Sequence, residues 1–265
     1  MHVQHTRLAT LLLVVLFAQI YGSSLPNLSP PQRQTSQRDS RELEAEIARW
    51  SQQLKSAGQE ERIEAALNLA HIEGPAATSA LASALTDTSP LVRAIVLAGF
   101  ANRPDTSSAP LIAARLTSDK DAFVRKTAAY ALSRFSGTER TATLIAALKD
   151  KDFEVRGAAA VSLGDHPDGA AVTPLVAALS DKIAFVRAQA ARALGINTGA
   201  ARQATPHLIK LLTSDDDGDV RRHAATALGS LGDRSALPAL ETASHDGDSY
   251  LAQAARDAIR MIERK

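Results

Sequence analysis

Five aspartates and five arginines recur along this chain at one separation, and ionisable groups held in rows are where chemistry would first be sought. Asp87, Asp119, Asp150, Asp181 and Asp215 lie six residues before Arg93, Arg125, Arg156, Arg187 and Arg221 respectively. Such rows could bind an ion, polarise a substrate or tie the chain to itself. Guanidinium and carboxylate favour bidentate pairing, so the structural use is expected. Each Arg, near the start of a helix, reaches the turn Asp of its own or an adjacent unit and bonds exposed turn carbonyls. Exposed pairs of this kind contribute only about 0–1 kcal/mol each.

The other candidates for chemistry are weaker. The acidic loop Asp215-Asp216-Asp217-Gly218-Asp219 suggests calcium, but placing Gly218 sixth in an EF-hand loop puts Thr213 first and Ala224 twelfth, where a carboxylate is needed. It reads instead as a turn insertion. His71, His166, His207 and His245 share no spacing, and His223 reads as a surface helix residue. No GxSxG nucleophile elbow occurs. No catalytic residue, cofactor or metal is expected.

The elements that hold these rows repeat with them. The marker arginines are separated by steps of 32, 31, 31 and 34 residues. Each is followed by a small-small-x-small-apolar pattern: Ala128-Ala129-Tyr130-Ala131-Leu132, Ala159-Ala160-Val161-Ser162-Leu163, Ala190-Ala191-Arg192-Ala193-Leu194 and Ala224-Ala225-Thr226-Ala227-Leu228. Degenerate copies surround Arg62 and Leu251. Before each turn Asp stands a second helical pattern, such as Leu144-Ile145-Ala146-Ala147-Leu148 or Leu175-Val176-Ala177-Ala178-Leu179. Each unit therefore reads as helix, turn, helix. Ser89-Pro90, Ala109-Pro110 and Thr205-Pro206 mark helix starts, where a missing N–H costs little. Gly137, Gly164, Gly195 and Gly232 are expected as caps at helix C-termini.

Together the turn Asp, the Val-Arg pair and the AAxAL helix resemble the HEAT-repeat superfamily, most closely the short HEAT-like repeats of the phycobilisome lyases. The resemblance implies a right-handed all-α superhelix, a solenoid of about seven helix pairs, over residues 39–265. Deoxyhypusine hydroxylase has similar repeats and binds iron through His-Glu pairs, but this chain contains no His-Glu dipeptide. An enzyme or chaperone-like lyase of the phycobilin lyase class is the alternative to a scaffold, although no bilin pocket is recognisable.

Outside the repeats, residues 1–24 carry Arg7, the apolar run from Leu8 to Ala18, and then Gly22-Ser23-Ser24. This is a signal-peptide pattern, with a membrane anchor through residues 8–21 as the alternative. No Cys follows, which excludes a lipid anchor on such a residue. Residues 25–38, with Pro26, Pro30 and Pro31, read as a flexible tether. Asp39 and Glu42 have capping-box spacing, and Leu43, Ile47, Trp50 and Leu54 mark one face of an opening helix, with Trp50 expected to pack on the first repeat. The run Arg260, Glu263, Arg264 and Lys265 suits a closing cap.

Removing residues 1–24 takes away only Arg7, leaving 29 basic residues against 29 acidic ones. No bulk basic field for nucleic acid exists. What remains is surface: in such solenoids the second helices line the concave side, where the variable positions are Lys126, Tyr130, Arg134, Gln189, Arg192, Arg222, His223, Thr226 and Arg256. The expectation is an exported, periplasmic or secreted bacterial scaffold that binds a protein, an acidic one if this strip is the contact, with an ordinary solvated face as the alternative reading of the strip.

Overall fold

The computed structural model describes residues 37–197, 199 and 201–264. The expected export signal and the tether up to residue 36 lie outside them. Among the described residues there are fourteen α-helices, short 3-10 turns and no strand. None of these helices is long and apolar enough to cross a membrane.

The chain divides at Phe135/Ser136 into two compact units. The first holds α1 (Gln37–Gln53), α2 (Gln59–His71), α3 (Pro75–Ser83), α4 (Pro90–Asn102), α5 (Ala109–Ser118) and α6 (Ala122–Leu132). The second holds α7 (Thr138–Ala147), α8 (Phe153–Asp165), α9 (Gly169–Ala178), α10 (Ala184–Ile196), α11 (Thr205–Ser214), α12 (Gly218–Leu231), α13 (Leu237–Ala243) and α14 (Ser249–Glu263). These are three and four helix pairs, so the expected seven pairs and all-α solenoid class are found. Within each unit the even-numbered helices stack on one another, α2 on α4 on α6 and α8 on α10 on α12 on α14, and each odd-numbered helix packs against its partner.

The AAxAL pattern forms this stack because small side chains let helix axes approach closely. Ala128, Ala129, Ala159, Ala160, Ala190, Ala191, Ala224 and Ala225 are fully buried, as are Leu163, Leu194 and Leu228. Leu144 and Leu175 complete the core from the odd-numbered helices; burying each such side chain contributes roughly 1.5–3 kcal/mol. Pro90, Pro110 and Pro206 sit in the first turns of α4, α5 and α11, as expected. Asp121, Asp152, Asp217 and Asp248 cap α6, α8, α12 and α14 by accepting backbone N–H groups. Trp50 is buried, its Nε1 donating to Glu46 at 3.3 Å. The helix that holds it begins at Gln37, so Asp39 lies within its first turn rather than at its cap.

The glycines depart from expectation. Only Gly232 is a left-handed C-terminal cap, with φ of 71°. Gly137, with φ of 115°, precedes α7 instead of ending α6. Gly164 and Gly195 lie inside α8 and α10, and their role is close approach: a Cβ at Gly195 would stand 2.9 Å from the Cα of Ala227, and one at Gly164 3.2 Å from the Cα of Ala193. Gly229 meets Ala258 in the same way, at 2.7 Å. Glycine here sets the spacing between stacked helices.

Candidate functional site

The Asp and Arg rows form a forward-reaching ladder. Arg62, Arg93, Arg156 and Arg187 each place Nε and one terminal nitrogen on the two carboxylate oxygens of the next repeat's Asp87, Asp119, Asp181 and Asp215, at 2.6–3.1 Å. The other terminal nitrogen turns back to the arginine's own repeat. In Arg62, Arg93, Arg125, Arg156, Arg187 and Arg221 it donates to the carbonyl six residues earlier, at 2.7–3.1 Å. Each turn Asp, Asp150 included, also accepts the backbone N–H two residues on. One guanidinium thus closes its own turn and clamps the following one, as the bidentate geometry of arginine permits.

The electrostatics follow from this geometry. Burial alone would raise the carboxyl groups of Asp87, Asp119, Asp181 and Asp215, but the paired guanidinium and the turn N–H outweigh it and hold all four below the ordinary carboxylate range. Hydrogen bonds to the partner Asp raise Arg62, Arg156 and Arg187 despite burial. Of these four rungs, Arg93–Asp119 is the most enclosed, with side chains 5% and 3% exposed.

Arg221 departs from the row: it bonds the carbonyls of Asp215 and Asp216 but makes no ion pair among the described residues. Its neighbour Arg222 takes the cross-repeat role, pairing with Asp248 at 2.8 Å and with Asp219, its guanidinium lying 6.0 Å from the Tyr250 ring centre. The acidic loop is likewise accounted for, because Asp215 is a ladder rung and Asp217 a helix cap. Among the described residues no cluster of three or more His, Asp or Glu could hold a metal ion.

The variable strip is only partly a surface. Tyr130, expected on the partner-binding strip, is buried, so its ring is not part of an exposed surface. Lys126 is half-buried over the Phe123 ring, 5.6 Å from its centre, whereas Arg134 is exposed. In the second unit Gln189 is half-buried and Arg192 and Thr226 are exposed. Arg222 is committed to its carboxylates, and His223 places Nδ1 2.8 Å from the Asp219 carbonyl oxygen. Arg256 is exposed and donates to the Ser244 carbonyl at 2.8 Å.

Exposed apolar residues beside the strip are not marked by the AAxAL pattern. Phe153, Phe185 and Ile196 are each about two-fifths exposed, with Phe153 and Phe185 edge to face at 6.4 Å between ring centres. Phe185 lies where a Cβ of Gly157 would be, and Ile196 reaches over Gly164. A second, irregular set of ties was also hidden: Arg103 donates to the Leu69 carbonyl, Arg140 to the Ser162 carbonyl, and Asn197 accepts the Asp168 N–H. Burial lowers the pKa of both arginines.

The family profile described as HEAT repeats matches residues 47–133, 78–164, 141–217 and 172–260. No protein of curated function matches the sequence. Among solved structures, YibA of Escherichia coli is 20% identical with a TM-score of 0.57, covering 89% of this chain and 100% of that one. The complex of CpcE and CpcF of phycocyanin lyase from Nostoc sp. PCC7120 is 20% identical with a TM-score of 0.51, covering 92% and 98%. An engineered protein is 26% identical with a TM-score of 0.50, covering 82% and 96%. The first two likenesses are of fold alone.

Proposed function

Because the chain belongs to the HEAT-repeat family, we propose that it is a non-enzymatic scaffold that binds another protein, exported to the bacterial envelope. The observation that carries this reading is the division of labour among its side chains. The periodic Asp and Arg residues, which invite a chemical role, are taken up by the stacking of repeats. Phe153, Phe185, Ile196 and Arg192 are left in solvent on the even-numbered helices. Aromatic and arginine side chains are the types enriched where proteins bind proteins. The CpcE–CpcF structure is a two-protein complex on a similar fold, which supports a protein partner. The apolar run behind Arg7 supports export.

Two experiments test the reading. A C-terminal alkaline phosphatase fusion, active only outside the cytoplasm, should be active, and deleting residues 8–18 should abolish that activity. Cross-linking and affinity capture from envelope fractions should recover a stoichiometric protein partner. Stoichiometric iron or a bound chromophore in the purified protein would instead show an enzyme of the hydroxylase or lyase type and overturn the proposal.

A further inference from the structure

The second unit has an exposed face on α8 and α10 whose composition selects a partner. On α10, Phe185, Gln189, Arg192 and Ile196 follow one another at spacings of four, three and four residues, so they share one side of the helix. The stripe spans about 16 Å at 1.5 Å per residue. Phe185 and Ile196 lean onto α8 at Gly157 and Gly164, and half-buried Val161 lies between those glycines along α8. The result is an apolar strip with one cation at its centre. Arg192 is exposed and makes no hydrogen bond or ion pair among the described residues, whereas Arg187 and Arg222, on the same helix and the next, are paired with carboxylates.

We propose that this α8–α10 face docks a short segment of another protein in which one Asp or Glu is flanked by apolar side chains, with Arg192 taking the carboxylate and Phe185, Val161 and Ile196 the apolar groups. The proposal rests on the scaffold reading and names its site and partner chemistry. Charge complementarity selects the occupant. A guanidinium framed by apolar groups is partly shielded from water when covered, which strengthens a bidentate carboxylate contact. One uncommitted cation does not track a run of phosphates, and the face lacks the basic cluster an anionic lipid surface requires. About three helical turns of α10 match a partner helix of about a dozen residues.

The test is selection of twelve-residue random peptides displayed on phage against the purified protein and its Arg192→Glu variant. The expected result is enrichment, on the wild type, of peptides with Asp or Glu flanked at three- or four-residue spacing by Leu, Ile, Phe or Met. Those peptides should bind Arg192→Glu at least about tenfold more weakly, and selection on that variant should enrich Lys or Arg at the same place. Ile196→Ser, which leaves the charge in place, should weaken the same peptides about fivefold. Selected peptides that lack a carboxylate, or that bind Arg192→Glu equally well, overturn the proposal. So does self-association of the protein that Arg192→Glu abolishes, because the occupant would then be a second copy. If a partner captured from the envelope binds Arg192→Glu undiminished, the scaffold reading stands and this face is not its site.

Discussion

The Arg93–Asp119 rung provides a direct measure of how the repeats are held. Asp119→Asn keeps the shape of the side chain, and its amide oxygen can still accept the Asp121 N–H, found at 3.0 Å. With that oxygen also keeping the Arg93 terminal nitrogen, the amide NH2 takes the place of the oxygen that Nε now reaches at 2.8 Å, and sets donor against donor. A guanidinium whose side chain is only 5% exposed is left without its counter-charge. Breaking a buried pair costs about 3–5 kcal/mol; because Arg93 keeps its bonds to the carbonyls of Asp87 and Thr88, the expected loss is about 3 kcal/mol. Asp119→Ala, which also releases the turn N–H, should cost about 1 kcal/mol more. Trp50, the only Trp in the chain, lies in the same unit, so its fluorescence during urea unfolding reads the damage. The midpoint should fall by about 2 M. Arg93→Met with Asp119→Asn should lose much less than the sum of the two single changes, because both abolish one interaction. A loss below about 1 kcal/mol for Asp119→Asn, or additive single variants, would refute the rung as an energetic tie.

Three further outcomes follow from the geometry. Four ladder carboxylates are held below their unfolded values, so their stabilisation is fully present above the unfolded pKa of about 3.9 and is lost as pH falls through the lower folded values. The urea midpoint should therefore fall between about pH 5 and pH 2, and Asp119→Asn should flatten that slope. Asp215→Asn, whose partner Arg187 is 17% exposed, should cost less than Asp119→Asn, about 1–2 kcal/mol by calorimetry or urea titration. Gly229→Ala should lower the melting temperature despite alanine's better helix propensity, with a loss of about 1–3 kcal/mol, because its Cβ would stand 2.7 Å from the Cα of Ala258. A rise in melting temperature would show that α12 and α14 can separate at little cost.

The fold was readable because stacking imposes its own period. An Ala or Leu that meets the next repeat must recur wherever a repeat recurs, as at Ala128, Ala159, Ala190 and Ala224. The existence of the ladder was readable for the same reason, but its direction was not. Six residues back and about 26 residues ahead are both within an arginine's reach, and only packing decides between them. The exposed face was least legible. Repeat alignment fixes where a Cβ points, not where a long side chain comes to rest, so Tyr130 and Arg192 occupy equivalent positions with opposite exposure. Arg222 could not be recognised as paired, since Asp248 is 26 residues away and out of register with the ladder carboxylates.

The ladder's forward reach also bears on how such a gene can change length. Every rung inside a unit joins the donor of one repeat to the acceptor of the next, so a cassette running from one turn Asp to the residue before the next carries one of each. Excising the stretch from Asp181 to Ser214 would leave Arg156 facing Asp215, and duplicating it would leave each copy of Arg187 facing a carboxylate. Recombination in register at these turns is thus electrostatically silent.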